Sequence, residues 1–221
     1  MTTYIIDTET NGLLKDLDTI HCMVIRCVET DEALTCSDTS DMQVIDGLEL
    51  LMGKASELAS KFVGHNLIGF DIPAITKCYP WFTLPEHKCF DTLVASRLIF
   101  PDRWDADSKL VIKQGFPKRL SNRHSLEAWG HRLRCHKGEY TGDTNIEDEK
   151  ERKAKKWAVL NQDMIDYCIQ DTLVTKVLYE MILGKNYSQE ALDLEHEVRY
   201  IISAQERYGV AFDTDAAVEL A

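Results

Sequence analysis

Runs of apolar and polar residues divide the chain into short strands followed by progressively longer helical stretches. Tyr4, Ile5 and Ile6 form a continuous apolar run that ends on charge, "YIIDTET" at 4–10, and predict a buried strand. A second apolar run, "HCMVIRCV" (21–28), and a third, "EALTCSD" (32–38), flank the turn signal "ETDEA", which predicts a hairpin. From Met42 to Phe62, apolar residues recur at Val44, Ile45, Leu48, Leu51, Ala55, Leu58, Ala59 and Phe62, the stripe of a helix. "KFVGHN" (61–66) reads as a short buried strand. "DIPAITKCY" (71–79) opens another helix, with Pro73 in its first turn. "FDTLVASRLIF" (90–100) is a helix capped by Asp91 or Thr92.

Residues 101–122 show no periodicity and contain Pro and Gly, so they read as a long loop. Helix returns in "HSLEAWGHRL" (124–133), and the polar stretch 138–157 has a later half suited to an exposed helix. Asn161 caps a long helix over 163–183. Its stripe of Met164, Tyr167, Asp171, Val174, Leu178 and Met181 is apolar except at Asp171. A carboxylate in a core-facing stripe costs several kcal/mol unless it is paired or bound to a metal. The alternative is a helix rolled so that Asp171 reaches water.

Composition narrows the class. The chain has 221 residues, 44% hydrophobic and 28% charged, as expected of a soluble globular protein. No apolar run approaches the roughly 20 residues of a membrane helix, and the N-terminus lacks a signal-peptide pattern. Seven cysteines without a C-x-x-C pair point to a reducing compartment. "HKCF" (87–90) and "RCHKGEY" (134–140) mix His with Cys but have no matching second pair for zinc. The net charge of −12 argues weakly against a nucleic-acid partner. Yet Lys109, Lys113, Lys118, Arg119, Arg123, Arg132, Arg134 and Lys137 are opposed within their stretch only by Glu127. That run suits either phosphate contacts or an ordinary solvated face.

Acids then recur in three awkward places: Asp7-Thr8-Glu9 at the end of a buried strand, Asp71 after His65 and Asn66, and Asp171 in the late helix. Ile5, Asp7 and Glu9 share a strand face, so two like charges lie side by side. Asp71 taken alone reads as a helix N-cap. Drawn together, four carboxylates need cations, and hard divalent ions with oxygen ligands meet that need.

The set resembles the DEDD family of 3′–5′ exonucleases, in the form that places a tyrosine four residues before the last acid. The family's D-x-E stands here as Asp7-Thr8-Glu9, its N-x(3–4)-[FY]-D as Asn66 to Phe70-Asp71, and its Y-x(3)-D as Tyr167 to Asp171. "DTLVASRL" (91–98), "HSLEAWGHRLRCHKGEY" (124–140) and "MIDYCIQDTLVTKVL" (164–178) further resemble the proofreading domain of podophage family A DNA polymerases. The tail 192–221 resembles the first segment of their polymerase domain.

The resemblance implies an α/β, ribonuclease H-like mixed sheet flanked by helices, plus a C-terminal helical segment. It implies a 3′–5′ exonuclease domain over 1–185, with 186–221 as linker and first helical segment of a truncated polymerase domain, or else a helical appendage of the same domain. Two Mg2+ ions, replaceable by Mn2+, would be held by Asp7, Glu9, Asp71 and Asp171, with Tyr167 orienting the attacking water. Leu13 would wedge against the terminal base, Asn66 would bond the backbone, Phe70 would stack or fill the core, and the Thr8 N–H would meet the terminal nucleotide. Lys118, Arg119 and Arg123 would hold the strand by charge. The implied partners are a single-stranded or frayed DNA 3′ end and a polymerase domain, in cis or on a separate chain, with no membrane and a cytoplasmic location (the bacterial host's, if phage-encoded). The rival readings are a stand-alone exonuclease of RNA or short oligonucleotides, and a catalytically silent DNA-binding module.

Overall fold

A computed structural model describes residues 2–135, 140 and 155–220. Its centre is a five-stranded sheet of order β3-β2-β1-β4-β5, formed by β1 (Thr2–Thr10), β2 (Ile20–Cys27), β3 (Ala33–Ser37), β4 (Ser60–Gly64) and β5 (Cys89–Asp91). β1, β2 and β3 run antiparallel, whereas β4 joins β1, and β5 joins β4, in parallel. The fold is the expected α/β mixed sheet flanked by helices. The expected hairpin is the β2–β3 pair.

Alternation along β1 sorts the core into two layers. Ile6 packs with Met23, Ile25, Leu48, Phe62 and Ile75, under α1 (Val44–Ser56) and α2 (Ile72–Cys78). Ile5 faces the other way, with Val63, Phe90, Trp129, Val174 and Leu178. That second face is covered by α3 (Thr92–Ile99), α5 (Leu126–Leu133) and the 22-residue α6 (Gln162–Leu183). The caps follow the sequence: Asp91 accepts from Leu93 N–H, Ser125 from Ala128 N–H and Asn161 from Met164 N–H.

Three expectations need correction. The helix expected over 42–62 stops at Ser56: Glu57 turns extended, Leu58 is 97% exposed, and Phe62 belongs to β4. The apolar spacing continued across a chain reversal. The expected loop 101–122 contains α4 (Trp104–Gln114), closed by Gly115 at φ +66°, and a 3-10 turn at Lys118–Leu120. The start of the helix expected over 90–100 belongs instead to the three-residue β5, and α3 begins at Thr92. Most of the polar stretch 138–157 lies outside the described residues.

The C-terminal part forms α7 (Gln189–Tyr208) and α8 (Thr214–Glu219). α7 buries Leu192, His196 and Ser203 against the domain, whereas α8 buries nothing. Among the described residues, no helix is long and apolar enough to cross a membrane.

Candidate nuclease site

β1 outruns its parallel neighbour. The β1–β4 register ends at Ile5↔Val63, while β1 continues to Thr10 on the β2 side. β4 instead enters a turn: Asn66 takes a left-handed conformation (φ 71°), which Asn tolerates, and a π-helical turn follows over Leu67–Asp71. The sheet therefore has a gap, a crevice in the ladder, beyond the C-terminal end of β4, where β1 has no β4 partner. In open α/β sheets this is the ordinary place for a ligand.

Asp7, Glu9 and Asp71 border that gap. Asp7 and Glu9 follow Ile5 on the α6 face, register with Val24 and Cys22 of β2, and meet Cys168 of α6. One ligand atom from each of Asp7, Glu9 and Cys168 lies within 4.8 Å of the others. Cys168 donates its S–H to the Asp7 carbonyl at 3.4 Å. Burial pushes that thiol well above its ordinary pKa, helped by Cys22 and the nearby acids, so the sulfur stays protonated. A protonated thiol is a packing group here, and a hard cation would find the oxygens.

Asp71 enters from the opposite side of β1. Its Oδ1 accepts the Thr8 hydroxyl at 2.7 Å and the Thr8 N–H at 3.2 Å. It is therefore no N-cap, since the carboxylate turns away from α2 to the free edge of β1. Asp71 is 4% exposed and has no ion pair among the described residues. Burial raises its pKa to about 7, against the lowering effect of the Thr8 hydroxyl, and Asp91 adds to the rise. The Thr8 N–H, expected to face a nucleotide, is engaged by Asp71.

Asp171 lies on α6 one turn beyond Cys168 and is 3% exposed, so the helix does not roll it into water. Met164, Val174 and Leu178 are buried as the stripe predicts. Tyr167 and Met181 sit half-buried at its margins, and Cys168, Thr175 and Ile182 complete the core face. The Tyr167 ring lies 6.1 Å from that of Tyr140 and 6.2 Å from that of Trp157.

The other expected contacts are more scattered. Leu13 stands 74% exposed just past β1, and Phe70 packs half-buried against the α1–α2 layer. Asn66 directs its N–H to Asp91 at 2.9 Å. Lys118, Arg119 and Arg123 are exposed, and Arg119 pairs with Glu127. The basic run is not one solvated face, because Arg132 is buried against Asp107. Sequence reasoning missed Cys168, for which its place three residues before Asp171 was the available signal. It foresaw Asp91 as a cap but not its reach to Asn66.

The donor set fits divalent cations. Asp7 and Glu9 offer adjacent hard oxygens, and Asp71 is a buried carboxyl that bound positive charge would keep ionised.

No family model matches the chain. The chain is 35% identical to a DNA-directed DNA polymerase of Escherichia phage T7 over 242 aligned positions, covering 97% of the chain and 34% of the polymerase. The polymerase of Enterobacteria phage T3 is 34% identical over the same shares. The chain thus spans about a third of the length of these relatives. Among solved structures, Brucella melitensis NrnC with bound Mg2+ superposes with a TM-score of 0.57 at 16% identity, over 94% of this chain and 86% of that one. The resemblance to phage polymerases read from the motifs holds along nearly the whole chain, and the fold is one shared with NrnC.

Proposed function

We propose that this relative of phage DNA polymerases is a proofreading exonuclease, removing nucleotides from DNA 3′ ends by phosphodiester hydrolysis with two divalent ions. The observation that carries the reading is the convergence on the free end of β1: Asp7 and Glu9 share one face of the strand, and Asp71 is bonded to Thr8 between them.

Asp7, Glu9 and Asp171 would hold one ion, and Asp7 with Asp71 the second, Mg2+ in the cell with Mn2+ able to substitute. Bound there, such ions polarise the scissile phosphate and make water a stronger nucleophile at neutral pH. The rest falls to the chain. Tyr167, its ring flanked by Tyr140 and Trp157, would orient the attacking water through its hydroxyl. It is a poor base, with a free pKa near 10. Cys168, with Cys22 and Val24, walls the acids from bulk water on the β2 side. The exposed Leu13 would wedge against the terminal base, Asn66 would contact the backbone, and Phe70 would support the turn between them. Lys118, Arg119 and Arg123 would hold phosphates with little sequence preference.

The exonuclease is proposed to occupy 1–185. Residues 186–221 would lead into a polymerase portion, a reading supported by the exposed Val210, Phe212, Val218 and Leu220. Such a protein would work in the cytoplasm of a bacterial host, a reading supported by its similarity to phage polymerases.

A single-stranded oligonucleotide labelled at its 5′ end tests this. The chain with Mg2+ should give a ladder shortening from the 3′ end, faster on DNA than on RNA and on frayed than on paired ends, and nothing in chelator. Internal cuts, or an undiminished ladder from Asp171→Ala, would overturn it.

A further inference from the structure

The turn that delivers Asp71 is held from outside as well as by its own backbone. It starts at a left-handed Asn66 and runs as a single π-helical turn, bridged by Phe70 N–H to Asn66 O at 2.8 Å and by Ile72 N–H to Leu67 O. Its N–H groups are gathered by Asp91, a fully buried carboxylate 20 residues further along. Asp91 Oδ1 accepts Asn66 N–H at 2.9 Å and Leu93 N–H at 2.9 Å, and Oδ2 accepts Ile68 N–H at 3.1 Å. One side chain therefore caps α3 and pins the turn.

Asp91 is fixed in its turn from α7. Its N–H donates to His196 Nε2 at 2.7 Å, across 105 residues of sequence, and His196 Nδ1 meets Leu192 O at 2.6 Å. A backbone N–H can only donate and a carbonyl can only accept. The ring proton is therefore on Nδ1, and the Nε2 lone pair faces Asp91. The ring also packs on Phe90, centroids 4.9 Å apart. One turn along α7, Arg199 covers Gly69, where a Cβ would collide with both the Arg199 guanidinium and Asn66 Oδ1.

We propose that His196 is a positioning residue for the nuclease site, holding the Asn66–Asp71 turn through Asp91. Helix α7 then belongs to the working exonuclease, although its sequence resembles the start of a polymerase domain. The inference rests on Asp71 being a metal ligand.

The test uses the full chain with His196→Leu, which removes the acceptor, and His196→Gln, which restores one near the Nε2 position. His196→Leu should lower kcat on single-stranded DNA roughly ten- to a hundredfold and weaken Mn2+ binding, read by EPR without DNA, by a similar factor. KM for the oligonucleotide should change much less than kcat because, of the turn's residues, only Asn66 is assigned a contact with the strand. His196→Gln should recover kcat and Mn2+ affinity to within about threefold of the parent. Amide exchange at Asn66 and Ile68 should accelerate in His196→Leu and return in His196→Gln. Parent-like kcat, Mn2+ binding and exchange in a folded His196→Leu would overturn the proposal, as would unprotected Asn66 and Ile68 amides in the parent. If His196→Leu fails to fold, Asp91→Asn is the second variant, and its parent-like Mn2+ affinity would be equally fatal. Asp71→Asn separates the two readings: full activity there sinks the assignment of Asp71, whereas its loss beside an unaffected His196→Leu sinks only the role of α7.

Discussion

Asp107 and Asp71 are both buried carboxylates on helical segments, and the structure treats them in opposite ways. Asp107, on α4, is fully buried and held by its own counter-charge: Arg132 Nε reaches Oδ1 at 3.0 Å, Arg132 Nη2 reaches Oδ2 at 2.8 Å, and Asn122 N–H adds a bond at 2.8 Å. Burial pushes its carboxyl up, but Arg132 and Asn122 outweigh that and hold it below the ordinary range. The Arg132 guanidinium in turn lies 4.7 Å from the centre of the Trp129 ring. Asp71 gets a hydroxyl and an N–H from Thr8, no ion pair among the described residues, and a pKa raised to about 7. A buried acid supplied with an arginine is finished on folding. One supplied only with neutral donors is left with a demand for positive charge, which the ion of the proposed function would meet.

Removing acids at the crevice should have the largest effect. Asp7→Ala or Asp171→Ala is expected to lower hydrolysis on the order of a thousandfold with the fold retained, by gel assay beside circular dichroism. Arg132→Met should do the reverse. Stranding Asp107 costs roughly 3–5 kcal/mol, read as a lower urea midpoint, while the rate of the folded fraction is kept; Asp107→Leu with Arg132→Met should recover most of that loss.

The pH dependence should differ in sign. In chelator, the unfolded chain ionises Asp71 near pH 4, while the folded chain keeps the proton until about pH 7. The stability from Asp71 is therefore full below about pH 4 and is lost as pH rises towards 7, by a few kcal/mol. The urea stability of the parent relative to Asp71→Asn should fall across that window in EDTA, and Mg2+ should reverse the trend. The lowered Asp107 contributes the other way: its stability is present above the ordinary carboxylate range and is lost as pH falls through its depressed pKa. A parent and Asp71→Asn that run in parallel from pH 4 to 8 in EDTA would erase the contrast. Smallest should be Tyr167→Phe, a loss of about tenfold in kcat without change in unfolding free energy, as befits a single orienting hydroxyl.

Sequence legibility followed the range of the signal. β1 to β4 and the caps at Asp91 and Asn161 were visible because alternation and capping are local. Asp7, Glu9, Asp71 and Asp171 stood out because their spacing matched a known set. α4 was not, because its one buried residue is Asp107, so the helix has a charge where an apolar stripe should begin. Nothing near Arg132 announces that its partner lies 25 residues upstream. His196 is further still, reaching Asp91 across 105 residues, and no local pattern encodes such a bond. α1 was overextended because Leu58, Ala59 and Phe62 happened to keep helical spacing through a turn.

The early parting of β1 and β4 after Ile5 and Val63 limits what can be made of this scaffold. A designer seeking a more regular sheet would lengthen β4 until every rung beside β1 was filled. That repair would occupy the Thr8 amide which Asp71 now uses, and would shut the crevice. On the proposed function the irregularity is the workplace, and a tidier ladder would yield a sturdier but idle molecule.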